Sequence, residues 1–104
     1  MRRGEIWWAE SPGGGRRPHL VLTRDAAIPV LNAVLAVPAT RTIRGIPTEV
    51  PVGPDDGMPE KSALTLDNLS VMAKGLFVER ICELGPETMR MVCRALDYAT
   101  ACES

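Results

Sequence analysis

Apolar runs of five to seven residues recur through the first 82 positions, separated by stretches rich in glycine and proline. Such a chain cannot build long helices there, because proline removes a backbone donor and glycine favours turns. Short β-branched and aromatic runs between turn signals read as strands, and several at close spacing read as a small barrel. Residues 5–10, 19–23, 33–37, 62–66 and 76–82 are the predicted strands. Residues 47–52 also alternate in character, but Pro47 and Pro51 confine that run to an edge or an irregular position. The pattern changes after Gly85-Pro86, which offers a cap and a first-turn proline. Met89, Val92, Cys93, Leu96 and Ala99 follow at helical spacing, so an amphipathic C-terminal helix is expected to pack on the barrel.

The 104 residues leave room for a single domain, 1–104, with one core. A hydrophobic content of 45% fits a globular fold and is too high for a disordered chain. No run of eighteen apolar residues occurs, so no membrane span is expected. The segment Met1-Arg2-Arg3-Gly4-Glu5 starts basic but leads into no long apolar stretch. It does not read as a signal peptide, and a cytoplasmic location is expected. Cys82, Cys93 and Cys102 have no close metal-binding spacing, and His19 is the one histidine. Neither a metal nor another cofactor is expected.

Charge is divided unevenly. Residues 1–44 carry seven basic against three acidic side chains, a net of +4, whereas residues 45–104 carry five against ten, a net of −5. A basic half suits a polyanion. That half contains Gly13-Gly14-Gly15-Arg16-Arg17-Pro18 at the mouth of a predicted strand. Glycines let a backbone approach a ligand closely, and guanidinium groups grip phosphate in a bidentate fork. Val37-Pro38-Ala39-Thr40-Arg41 reads as a second small loop, adding a hydroxyl beside another arginine. Two such loops at neighbouring strand ends can converge on one phosphate.

Several chemistries are excluded. The glycine triplet lacks the Lys-Ser/Thr ending of a nucleotide-triphosphate loop and precedes a strand, not a helix. A single histidine per active site rules out two-histidine ribonuclease chemistry, and no carboxylate cluster points to magnesium. Arginine and hydroxyl chemistry remains. An RNA 2′-hydroxyl can attack its own phosphate if the pentavalent oxyanion is stabilised by well-placed donors. Arg17 and Thr40 are the candidate pair, with arginine acting chiefly as an electrostatic stabiliser because it is a poor proton acceptor.

The order Gly4-Glu5-Ile6-Trp7-Trp8, glycine-rich loop, Arg17-Pro18, Leu20-Val21-Leu22-Thr23 and Val37-Pro38-Ala39-Thr40 resembles the MazF/PemK toxins of bacterial toxin–antitoxin systems. Ser62-Ala63-Leu64, Asp67-Asn68-Leu69 and the C-terminal helix extend the resemblance over nearly the whole chain. The resemblance implies an SH3-like barrel of the CcdB/MazF/PemK kind, acting as a homodimer. It implies a metal-independent, sequence-specific endoribonuclease that yields 2′,3′-cyclic phosphate and 5′-hydroxyl ends from single-stranded RNA. It places Arg17 and Thr40 at the scissile phosphate and implies a cognate antitoxin presenting an acidic, partly disordered tail. Arg16, Arg41 and Arg44 are further candidate RNA contacts from charge and loop position, and Trp8 is a candidate stacking platform. Asn68 stands where the family usually has glutamine, with a shorter reach. The first loop is shorter than in many members and lacks their acid, so RNA sequence preference does not carry over. The alternatives are a CcdB-type gyrase poison, which lacks the Arg-Pro and Pro-x-Thr pair, and an RNA-binding module without catalysis.

Overall fold

The computed structural model describes residues 1–102 apart from Pro12, which lies in the first predicted turn. Seven strands and one helix follow in order: β1 (Glu5–Glu10), β2 (Arg16–Val21), β3 (Ala33–Thr40), β4 (Glu49–Val52), β5 (Ser62–Thr65), β6 (Ser70–Ala73), β7 (Phe77–Glu83) and α1 (Pro86–Thr100). All pairings are antiparallel, in the order β4-β5-β3-β2-β1-β7, with β6 pairing β3. Among the described residues β4 and β7 do not pair with each other, so the small barrel expected from the sequence is an open sheet.

β1 and β2 form a hairpin whose register sets Ile6 opposite Leu20, Trp8 opposite Pro18 and Glu10 opposite Arg16. Its turn is closed by Ser11 N–H to the Gly15 carbonyl at 2.9 Å, with Gly14 and Gly15 at φ +93° and +81°. Side chains cost energy in that left-handed region, which explains the glycines. The turn delivers Arg16 directly into the ladder, so β2 begins three residues before the predicted strand. It also ends earlier, at Val21. Leu22 and Thr23 still dock on β3: Leu22 N–H meets the Leu35 carbonyl at 2.9 Å, and Thr23 Oγ1 accepts the Leu35 N–H at 2.7 Å.

β3 corrects the sequence reading most. Its predicted end at Val37 gives way to a strand running through Thr40, so the predicted loop 37–41 is mostly strand. The strand changes partner along one edge: Ala33 to Ala36 pair β6, then Ala39 and Thr40 pair β5. Pro38 sits between these two ladders, where a missing N–H costs least. β6 itself, a four-residue strand that follows a helical turn at Leu66–Asn68, has no counterpart among the predicted strands.

Two apolar clusters form the core. One gathers Ile6, Leu20, Val37, Val50, Leu64 and, from α1, Val92 and Ala95. The other gathers Ala9, Val21, Val34, Ala36 and Phe77. Gly85 and Pro86 occupy the cap and first-turn positions as expected, and Met89, Leu96 and Ala99 pack against the first cluster. Each large aliphatic buried there contributes about 1.5–3 kcal/mol. Cys82 is buried, Cys93 and Cys102 are exposed, and all three are free thiols. No helix among the described residues is long and apolar enough to cross a membrane.

Candidate active site

A cleft of about 690 Å³ opens where β2 begins and β3 ends, and Arg16, Arg17, Thr40, Arg41 and Trp8 all line it. The lining continues through Met58, Pro59, Glu60 and Ser62, which come from the segment leading into β5. Antiparallel pairing explains the convergence. His19 stands opposite Pro38, Leu20 opposite Val37 and Val21 opposite Ala36. That ladder ends at His19 and Pro38, and Arg17 and Thr40 lie two residues beyond it on β2 and β3, both lining the cleft.

Both residues have the chemistry a phosphate needs. The Thr40 Oγ1 accepts the Thr42 N–H at 3.1 Å, which leaves its own O–H available as a donor. The Arg17 side chain is exposed at the cleft, while its carbonyl accepts His19 Nδ1–H at 2.9 Å. That bond anchors the backbone behind the guanidinium. His19 is itself buried; desolvation pulls its pKa below the ordinary histidine value, with a smaller push from the Arg17 charge. It does not line the cleft.

The two tryptophans separate cleanly. Trp8 lines the cleft, whereas Trp7 packs on the second core cluster and donates its indole N–H to Glu5 Oε1 at 3.1 Å. Strand alternation accounts for this, since neighbours on β1 point to opposite faces. Trp8 is thus the tryptophan on the cleft side of β1.

Arg41 reaches Glu60, Nη1 to Oε2 at 3.1 Å, within the cleft. The pair is mostly exposed, so it is worth at most about 1 kcal/mol. Glu60 lies nineteen residues along the chain from Arg41, and no sequence motif joins them.

Arg44 and Asn68 are not among the cleft's lining residues. The Arg44 and Gly45 backbone N–H groups both donate to Glu49 Oε1, at 2.9 and 3.0 Å, which fastens the β3–β4 connection. Asn68 Nδ2 donates to Thr65 Oγ1 at 3.3 Å, and Thr65 in turn donates to the Pro38 carbonyl at 3.2 Å. Asn68 therefore braces the strand that carries Thr40. Nor does the basic half of the chain converge as a whole. Arg2 instead bonds Glu83 at 2.7 Å.

Comparison with known proteins places this geometry. Residues 2–99 match the family described as PemK-like, MazF-like toxin of type II toxin–antitoxin system. The chain is 45% identical over 101 residues to the probable endoribonuclease MazF5 of Mycobacterium tuberculosis, covering 96% of this chain and 93% of that protein. A structure of an endoribonuclease in complex with its cognate antitoxin, from a mycobacterial species, superposes with a TM-score of 0.89 at 29% identity, over 98% of this chain and 96% of that one. The Mycobacterium tuberculosis toxin MazF-mt6 superposes with a TM-score of 0.87 at 30% identity, over 93% and 96%. Similarity of this extent, over a sheet that brings Arg17 and Thr40 to one cleft, shows that the chain belongs to the PemK-like, MazF-like toxins of type II toxin–antitoxin systems.

Proposed function

We propose that this chain is an endoribonuclease that cuts single-stranded RNA, mRNA above all, without a metal. The 2′-hydroxyl attacks the adjacent phosphorus, the bond to the 5′-oxygen breaks, and the products carry a 2′,3′-cyclic phosphate and a 5′-hydroxyl. The observation that carries this reading is the meeting of Arg17 and Thr40 in one cleft beside Trp8. Arg17 supplies a fixed charge with two donors for the phosphorane oxygens, and Thr40 supplies a third donor. Arg16 and Arg41 extend the positive lining toward flanking phosphates, and Trp8 offers its face to an unpaired base.

A cognate antitoxin, by this reading, lays an acidic segment with apolar anchors across the same arginines and blocks the cleft. The relatives that carry the endoribonuclease name, and a neighbour solved with its antitoxin, support both halves of the proposal. The toxin works as a homodimer in the cytoplasm. Exposed apolar side chains at Leu35 and Val71, opposite each other on β3 and β6, offer a surface for a second copy.

The test is incubation of the purified protein with a long single-stranded RNA in EDTA, with 5′ ends mapped. Discrete cuts ending in 5′-hydroxyl groups, lost in Arg17→Ala, establish the activity and give its recognition sequence. Intact RNA overturns it; a binding assay on the same RNA then separates a binding module from a gyrase poison.

A further inference from the structure

Attack by a 2′-hydroxyl requires a group that takes its proton. The residues lining the cleft offer little choice. Arg16, Arg17 and Arg41 are donors only, and the hydroxyls of Thr40, Thr42 and Ser62 are very weak bases. Trp8, Pro18, Ala39, Met58 and Pro59 have no basic side-chain atom. His19, the chain's one imidazole, is buried outside the lining, with its Nδ1 engaged by the Arg17 carbonyl. Glu60 is the one carboxylate among the lining residues.

Its setting fits the task. Arg41 Nη1 holds Glu60 Oε2 at 3.1 Å, which orients the carboxylate, while Oε1 takes no hydrogen bond among the described residues. The backbone is fixed as well, because Ser62 Oγ donates to the Glu60 carbonyl at 3.2 Å. A carboxylate in a cleft meant for phosphate is otherwise a liability, since it repels the ligand. Its presence there calls for a contact with a proton-bearing group of the RNA.

We infer that Glu60 is the general base of this cleft, an assignment that rests on the nuclease reading above. Glu60 Oε1 accepts the 2′-hydroxyl proton as the 2′-oxygen bonds to phosphorus. The P–O5′ bond breaks, the departing 5′-oxygen takes a proton from water, and Glu60 returns its own proton to solvent. No electron transfer or co-reactant is involved. Arg41 is then a positioning residue for Glu60 as well as a phosphate contact.

Single-turnover cleavage by wild type, Glu60→Gln and Glu60→Asp, with binding measured on the same RNA carrying a 2′-deoxy nucleotide at the cut site, tests the assignment. Glu60→Gln should cut about 10²–10⁴-fold more slowly. It should bind the deoxy RNA as tightly or more tightly, because a negative charge has left the cleft. Glu60→Asp should recover part of the rate, and the acidic limb of the wild-type pH–rate profile should vanish in Glu60→Gln. Unchanged cleavage by Glu60→Gln overturns the general base while leaving the nuclease intact. Full-rate cleavage at altered sites overturns it too, marking Glu60 as a reader of base identity. Absence of cleavage by the wild type overturns the nuclease reading itself.

Discussion

Arg17 and Thr40 line one cleft, each two residues beyond the His19–Pro38 pair that ends the β2–β3 ladder. Each is held by a strand pairing and not by its own side chain, Arg17 opposite Ala9 on β1 and Thr40 opposite Ala63 on β5. Arg17→Ala and Thr40→Ala should therefore each slow RNA cleavage by about 10²–10³-fold, the usual cost of losing one oxyanion donor. Thermal melting should stay near that of the wild type, since Arg17 is exposed and Thr40 half-buried. Single-turnover rates and melting curves on the same preparations check both parts. A large drop in melting temperature would show instead that the residues hold the sheet.

Trp7 and Trp8 should part company under mutation. Trp8→Ala removes a stacking face worth about 1–3 kcal/mol per base, so affinity for a non-cleavable RNA should fall by about 5–150-fold with little change in stability. Trp8→Phe should retain most of the binding. Trp7→Ala opens a hole beside the second core cluster and removes one of the two hydrogen bonds to Glu5 Oε1, and should cost several kcal/mol of stability. Equilibrium binding and denaturant melts distinguish the two outcomes.

What the residues reveal before folding follows from how local each signal is. β1, β5, β7 and α1 are legible because their apolar periodicity and their glycine or proline boundaries lie within each segment. β4 is legible even to its edge position, since Pro51 cannot serve a central ladder and, among the described residues, β4 pairs β5 alone. β6 is not, because Ser70-Val71-Met72-Ala73 is short and leaves Val71 69% exposed, so its alternation carries little core signal. Pro38 reads locally as a strand end, because its tolerance depends on β3 switching partners there, a long-range event. The site divides the same way. Arg17 and Thr40 stand in short motifs, while Glu60 joins them through a turn that no local pattern announces.

The buried carboxylate of Glu5 links stability to pH. Burial pushes its pKa up, but hydrogen bonds from the Arg80 and Trp7 side chains and the Arg2 backbone N–H outweigh that and leave it below the ordinary value. A depressed carboxyl stabilises the fold above its unfolded pKa, and that contribution disappears as pH falls through the folded value. His19 acts in the same direction: its depressed pKa gives stability that is complete above about 6.5 and declines as pH drops below it. Melting temperature should therefore fall in two stages on acidification. His19→Asn should remove the upper stage, and Glu5→Gln should flatten the lower one at a cost of about 1–3 kcal/mol at neutral pH. A single stage unaffected by either change would refute the linkage.

Gly57 sets the position of the cleft wall that carries Met58 and Glu60. It adopts φ +96°, closes a helical turn through its N–H to the Pro54 carbonyl, and presses against β7. A Cβ added here would lie 2.7 Å from the Cβ of Cys82, a distance that real side chains do not tolerate. Gly57→Ala thus combines left-handed backbone strain, about 1–3 kcal/mol, with a collision against the buried Cys82. It should lower melting temperature and also slow cleavage, because relief of the clash displaces the neighbouring wall. Cys82→Ala should not rescue it, since the colliding atom is Cβ and not sulfur. Cys82→Gly should rescue part of the loss when its effect is compared with Cys82→Gly alone in a double-mutant cycle. Full rescue by Cys82→Ala would mean that the contact is made by the thiol and that the turn packs differently against β7.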